Sequence, residues 1–114
     1  MACIANSDIC IFAGDDLRIE VEVKDQYGNQ VDITTVTSIT WKVANTPTSA
    51  PIVTKTFTTD ISISPLDTFV FNLVPADTTS LSGRYYHEAE IVTSTGKTYT
   101  VLTGYLTVKN SLIG

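Results

Sequence analysis

The stretch Leu17-Arg-Ile-Glu-Val-Glu-Val-Lys24 decides the fold, because apolar and charged residues alternate through all eight of its positions. A period of two is that of a β-strand with one dry and one wet face, since successive side chains of a strand point to opposite sides. The pattern predicts that Leu17, Ile19, Val21 and Val23 point into a core. The charged residues between them then form a solvated stripe.

The same alternation recurs in the segment Ser38-Ile-Thr-Trp-Lys-Val-Ala44. It predicts a second strand that turns Ile39, Trp41 and Val43 to one face. Trp41 is the single tryptophan of the chain, and its large apolar ring system makes it the natural centre of a core. An exposed tryptophan that stacks on a ligand is the alternative.

Further strands are predicted at residues 52–57, 60–64, 68–73, 84–92, 98–102 and 104–108. The first of them follows Pro51 and is predicted at a sheet edge, where a missing backbone N–H is tolerated. A single helical turn is predicted within residues 75–83, capped by Asp77 and ended by Gly83. The inward positions of these segments complete the predicted core: Phe69, Phe71, Leu73, Leu81, Tyr85, Ala89, Ile91, Leu106 and Val108.

Turns of defined chemistry separate the strands. The segment Asp25-Gln-Tyr-Gly-Asn29 predicts a hairpin, because Asp opens a turn and Gly28 or Asn29 supplies a positive φ. Seven or eight short strands, with turn signals roughly every eight to twelve residues, indicate an all-β, immunoglobulin-like antiparallel β-sandwich. With 114 residues, 43% of them hydrophobic and 17% charged, the chain suits one domain over residues 1–114 with short arms at 1–8 and 109–114.

The charge of the chain excludes two classes of partner. Seven basic and twelve acidic residues give a net charge of −5. Nucleic acids and anionic membrane surfaces attract clusters of Lys and Arg, and this sequence has no such cluster. No run approaches the ~20 apolar residues that span a bilayer. We therefore expect neither nucleic acid nor a membrane as a partner.

The residue types that carry catalysis are few. The one histidine, His87, lies on the apolar side of its predicted strand, which favours a packed histidine over a catalytic one. Cys3 and Cys10 lack the spacing of a zinc site, and Asp25 and Asp32 do not follow a calcium-binding loop. The carboxylates fall on strand exteriors or in turns, so a converging glycosidase pair is the remaining enzymatic alternative. We expect no enzymatic activity and no cofactor.

The two ends of the chain carry candidate contact residues. The segment at residues 1–8 has neither the basic start nor the long apolar core of a secretory signal, which indicates synthesis in a cytoplasm. Free thiols are the default there; the alternative is that the cysteines cross-link neighbouring subunits. Apolar residues without a strand pattern are expected to order on a neighbour. The candidate interface positions are Cys3, Cys10, Ile4, Leu112 and Ile113.

Several motifs together resemble a bacteriophage module. These are Gly14-Asp-Asp-Leu17 with the alternating strand, Asp25-Gln-Tyr-Gly-Asn-Gln-Val-Asp32, Ser82-Gly-Arg-Tyr-Tyr-His-Glu-Ala-Glu-Ile-Val92 and Gly104-Tyr-Leu-Thr-Val108. The chain is similar, from Gly14 to Val108, to the immunoglobulin-like domain at the N-terminus of phage baseplate upper proteins and in small virion accessory proteins. In the baseplate proteins further domains follow the module. Here only six residues follow Val108, which suggests a subunit that decorates or bridges other proteins.

The resemblance implies a non-enzymatic structural protein of a bacteriophage particle, made in the host cytoplasm and located in the virion. Capsid decoration, the neck or collar, and the tail or baseplate are all open positions for it. We expect it to contact other virion proteins in many copies or as a homo-oligomer. The alternative is a module that binds carbohydrate or a host surface, with Tyr85, Tyr86, Tyr99 or Tyr105 as stacking platforms.

Overall fold

The computed structural model describes residues 8–25, 27–64 and 66–110, which form eight strands and one four-residue helix. The all-β prediction is confirmed. Within these residues no helix has the length and apolar character needed to cross a membrane. The elements are β1 (Ile9–Phe12), β2 (Leu17–Glu22), β3 (Ser38–Ala44), β4 (Pro51–Thr56), β5 (Ser62–Ile63), β6 (Thr68–Leu73), α1 (Pro75–Thr78), β7 (Gly83–Val92) and β8 (Thr98–Lys109).

The strands form two sheets that pack face to face. The larger sheet has the order β1-β8-β7-β3-β4, and the smaller sheet has the order β2-β6-β5. All neighbouring strands are antiparallel except β1 and β8, which run parallel. This is the predicted immunoglobulin-like sandwich, and β4 lies at a sheet edge as Pro51 indicated.

The core between the sheets centres on Trp41. Its ring lies 4.6 Å from that of Phe71, centroid to centroid, so β3 of one sheet contacts β6 of the other. The predicted core residues are all buried except Leu17 and Tyr85, which are partly buried and pack against the core. Buried hydrophobic residues that the pattern did not predict are Ile11, Ala13, Ile33, Ala44, Ile61, Val70, Val101 and Leu102.

Strand β1 was not predicted. Cys10, which no predicted strand contained, lies in this edge strand, and Ile11 beside it is buried. The four residues pair with Leu106 to Lys109 of β8. Only two of them point inward, which is too short an alternation to recognise in the sequence.

Strand β8 is one strand of twelve residues, where two separate strands were predicted. Its pairing with β7 shifts by one residue, because Ala89 faces Leu102 whereas Glu90 faces Thr100. Val101 is the extra residue of this β-bulge, and both Val101 and Leu102 are consequently buried. Because two adjacent residues are buried at the bulge, the alternation of buried and exposed residues is interrupted there. The sequence therefore did not show that the strand is continuous.

The predicted hairpin at Asp25 is present in reduced form. Gly28 has a φ of +82°, and the N–H of Asp25 donates to the carbonyl of Asn29. The flanking strand pair is limited to a single bridge between Lys24 and Gln30, because β2 already ends at Glu22.

The short helix α1 is fixed by a carboxylate. Asp77 occupies the third helical position, not the N-cap, and its Oδ2 accepts the N–H of Val74 at 2.8 Å. The same oxygen lies 2.8 Å from Nζ of Lys55 on β4. The helix is thereby joined to the edge of the larger sheet.

Candidate functional site

The solvent-facing side of the larger sheet, here called the outer face, carries the main surface feature of the domain. Its residues alternate with buried ones along β3, β7 and β8. The outer face comprises Cys10, Phe12, Thr40, Lys42, Ala44, Thr54, Arg84, Tyr86, Glu88, Glu90, Thr103, Tyr105, Thr107 and Lys109.

An aromatic cluster lies at the centre of the outer face. Tyr86 and Tyr105 are direct cross-strand partners, and their rings meet edge to face at 6.2 Å between centroids. The guanidinium carbon of Arg84 lies 3.8 Å from the centroid of the Tyr105 ring, within the range of a cation–π contact. Tyr105 is still 39% exposed. Tyrosine and arginine held in place in this way are the residue types that dominate protein interfaces.

The β1 edge extends this apolar surface. Phe12 is 49% exposed and pairs with Lys109, while the exposed Cys10 pairs with Thr107. Next to them, Oδ1 of Asp8 accepts the backbone N–H of Tyr105 at 3.0 Å. If β1 were longer at its start, its backbone would bond this N–H of Tyr105. The side chain of Asp8 bonds it instead.

The β3 side of the outer face contains a pocket of about 240 Å³. Tyr86 forms one wall, and the loop at residues 45–50 forms another with Pro47. Charged Lys42 and Glu88, which are cross-strand partners, also line it. The pocket therefore combines an aromatic side, hydroxyl groups and both signs of charge.

The corresponding side of the smaller sheet has a different character. Its charged residues pair along β2 and the two residues after it, with Arg18 at 3.4 Å from Glu20 and Lys24 at 3.0 Å from Glu22. These side chains are at least half exposed, and such pairs contribute little to stability. This is the solvated stripe that the alternation predicted.

The single histidine lies in the core and not at the surface. His87 is fully buried, and its Nδ1 accepts the Nε1–H of Trp41 at 3.0 Å. Two residues earlier, the hydroxyl of Tyr85 donates to the carbonyl of Ser82 and accepts its N–H, both at 3.0 Å. Antibody domains have this tyrosine corner two residues before a disulfide cysteine. Here His87 takes the cysteine position and bonds the core tryptophan.

The carboxylates near the hairpin serve turns. Oδ1 of Asp25 accepts the backbone N–H of Tyr27 at 2.8 Å and of Asn29 at 2.9 Å. The bond from the Asn29 backbone is the main cause that lowers the pKa of Asp25. Bonds from the hydroxyl and N–H of Thr34 lower the pKa of Asp32 in the same way. Among residues 8–25, 27–64 and 66–110, no three His, Cys, Asp or Glu side chains are grouped to hold a metal.

The structure separates the residues that the sequence proposed for contacts. Cys3, Ile4, Leu112 and Ile113 lie outside the described residues, and Cys10 lies exposed on the outer face. Of the four candidate stacking tyrosines, Tyr85 and Tyr99 pack against the core, whereas Tyr86 and Tyr105 lie on the outer face. Sequence reasoning missed Arg84 and Phe12. The alternation around His87, Ala89 and Ile91 could have placed Arg84 outward.

Comparison with known proteins identifies the fold. No family model matches the chain, and no curated protein matches it. Among solved structures, the fibronectin(III)-like modules of CbhA from Clostridium thermocellum are similar, with a TM-score of 0.51, 9% identity, and coverage of 95% of this chain and 93% of that chain. The NK cell receptor NKp44, described as a triggering partner in natural cytotoxicity, is similar with a TM-score of 0.52, 15% identity, and coverage of 93% and 100%. The chain therefore has the β-sandwich fold shared by immunoglobulin-like and fibronectin(III)-like domains.

Proposed function

We propose that this chain is a non-enzymatic structural subunit that assembles in many copies with other proteins through its outer face. The observation that carries the proposal is the cluster of Arg84, Tyr86 and Tyr105, which is open to solvent at the centre of a broad sheet. Sandwich domains of this fold commonly act as non-catalytic modules. A pre-positioned aromatic pair beside an arginine supplies contact energy at little cost in side-chain entropy.

The assembly that we propose is a bacteriophage particle. The resemblance of residues 14–108 to the immunoglobulin-like module of phage virion proteins supports this identification. Capsid decoration, the neck or collar, and the tail or baseplate all suit a small sandwich subunit. In this proposal the chain is made in the bacterial cytoplasm and its contacts are with other virion proteins.

The test is to purify particles that encode this chain and measure its copy number against the major capsid protein by quantitative mass spectrometry. Particles with the chain deleted are then incubated with recombinant wild-type protein or with the Tyr105→Ser variant. We expect stoichiometric presence, and rebinding that Tyr105→Ser weakens at least tenfold. Tyr27→Ser is the matched control, because Tyr27 is 79% exposed in the hairpin turn, away from the outer face.

Absence of the chain from particles would refute the virion proposal. Equal rebinding by the wild type and the Tyr105→Ser variant would refute the role of the outer face.

A second candidate function is binding of carbohydrate, and the pocket beside Tyr86 is the observation that favours it. An aromatic ring for stacking on a sugar, next to Lys42, Glu88 and loop hydroxyls, is a suitable set of groups for a saccharide. Glycan-array binding that Tyr86→Ala abolishes and Tyr27→Ala preserves would support this function. Failure of the wild-type protein to bind any glycan on the array would refute it.

A further inference from the structure

The pocket beside Tyr86 continues along the larger sheet. A second, smaller cavity of about 70 Å³ on the outer face is lined by Thr40, Lys42, Glu88 and Glu90. Lys42 and Glu88 also line the first pocket, of about 240 Å³, so the two cavities adjoin at this pair. Together they are called the groove here. The groove follows β3 and β7 from Tyr86 to Glu90, a distance of about 13 Å along the strand.

The floor of the groove consists of two interior strands. Three direct cross-strand pairs form it, and these are Tyr86 with Ala44, Glu88 with Lys42, and Glu90 with Thr40. Strands β3 and β7 are each hydrogen-bonded to a neighbouring strand on both sides. A peptide therefore cannot add to the sheet as a further strand here. The polar groups that the floor offers to a ligand are side chains.

The central pair of the groove has opposite charges that do not meet. Lys42 and Glu88 are direct cross-strand partners, but they are not among the ion pairs formed within the described part of the chain. An ammonium group only donates hydrogen bonds, and a carboxylate only accepts them. The middle of the groove therefore presents one strong donor and one strong acceptor side by side.

Two neighbouring hydroxyl groups of a sugar complement this pair. A hydroxyl group can both accept and donate, so one hydroxyl accepts from the ammonium of Lys42 while its neighbour donates to the carboxylate of Glu88. The larger cavity has room for the sugar ring beside Tyr86. Thr40 and Glu90 line the smaller cavity and offer hydrogen-bonding groups to an adjoining sugar unit.

The charge of the groove distinguishes between classes of saccharide. Glu88 and Glu90 outnumber Lys42 among its lining residues, and the whole chain carries −5. A sugar that bears carboxylate, sulfate or phosphate groups is repelled by such a surface, whereas a neutral sugar is not.

We propose that the groove binds a neutral oligosaccharide of at least two units, and that Lys42 and Glu88 hold adjacent hydroxyl groups of one unit. This inference rests on the second candidate function, carbohydrate binding. It names the class of saccharide and the residues that determine specificity. The second unit lies toward Glu90, where the smaller cavity continues the groove.

The experiment is calorimetric titration of the full chain with oligosaccharides of glucose, mannose or galactose, one to four units long. Oligosaccharides of galacturonic acid are the anionic counterparts. We expect binding of a neutral sugar that strengthens from one unit to two and exceeds that of the anionic sugars. Lys42→Met and Glu88→Gln should each weaken it roughly tenfold, because each removes a charged hydrogen-bonding group. The controls Lys24→Met and Glu22→Gln change an ion pair on the smaller sheet and should bind like the wild type.

Two further variants test the second unit and the charge selection. Glu90→Gln should bind single sugars like the wild type but lose part of the gain from a second unit. The double variant E88Q/E90Q leaves the positive charge of Lys42 unopposed in the groove, so the preference for neutral over anionic sugars should shrink. Circular dichroism melts of each variant establish that it is folded.

The outcomes separate this inference from the function on which it rests. Saccharide binding that Tyr86→Ala abolishes, but that Lys42→Met and Glu88→Gln leave unchanged, would overturn the inference and leave carbohydrate binding standing. A preference of the wild type for anionic sugars would have the same meaning, and so would controls that weaken binding equally. Failure of the wild type to bind any of these sugars, or any glycan on the array, would overturn both.

Discussion

The hydrogen bond between Trp41 and His87 offers a test of what stabilises the core. His87→Phe keeps a ring in the cavity but removes the Nδ1 acceptor, so the buried Nε1–H of Trp41 loses its partner. A buried donor without a partner costs about 1–3 kcal/mol. Unfolding entropy is roughly 2.1 cal/mol/K per residue, or about 0.24 kcal/mol/K for this chain. A loss of about 2 kcal/mol therefore lowers Tm by about 8 °C.

The assay is calorimetry at pH 7 together with urea unfolding, and a double-mutant cycle isolates the bond. Trp41→Phe removes the donor while retaining an aromatic ring. In that background His87→Phe should cost at least ~1 kcal/mol less than in the wild type, because no unsatisfied donor is left. An equal cost of His87→Phe in both backgrounds would refute the reasoning, and so would an unchanged Tm of the single variant.

Three further predictions concern the other polar contacts of the fold. Lys55→Met removes the ammonium from the Asp77 carboxylate, whose side chain is 17% exposed, and should cost about 2 kcal/mol in urea unfolding; an unchanged midpoint would contradict this. Tyr85→Phe removes the hydroxyl that bonds the backbone three residues earlier and should lower Tm by about 4 °C, whereas no decrease in calorimetry would show the corner to be dispensable. The Asn29 backbone lowers the pKa of Asp25 below its ordinary 3.8, so this carboxylate stabilises the fold above that pH and loses its effect as pH falls through the lowered value. Asp25→Asn should therefore differ most in Tm from the wild type at neutral pH and converge with it toward pH 2; a constant difference across pH 2–7 would rule out the linkage.

The sequence predicted the sandwich well where alternation was long. Eight alternating positions at residues 17–24 led to β2, and the alternation around Trp41 led to β3. It failed where burial does not depend on local alternation. Ile33 is buried outside the named strands, because the packing of distant segments covers it, and no local pattern reports such packing.

The candidate site was only partly predictable for a related reason. Alternation along β7 is enough to turn Tyr86 outward, since His87 and Ala89 point inward. Its pairing with Tyr105 depends on the register between two strands, which side-chain types alone do not determine. The contact of Arg84 with the Tyr105 ring follows from that register and could not be predicted without it.

The β-bulge at Val101 sets the register between β7 and β8, because it places one unpaired residue in β8. If Val101 were paired in regular register and not bulged, every later residue of β8 would move by one partner, so that Tyr105 would face Tyr85 and turn inward, while Leu106 and Val108 would turn to water. The pairing of β1 with residues 106–109 would be lost in the same step. The bulge therefore accommodates one residue of chain length between the Gly96 turn and Tyr105. Variants of this domain can exchange residues in that segment or lose the one bulged residue, but an additional residue that no bulge accommodates would reverse which surface the strand shows to other molecules.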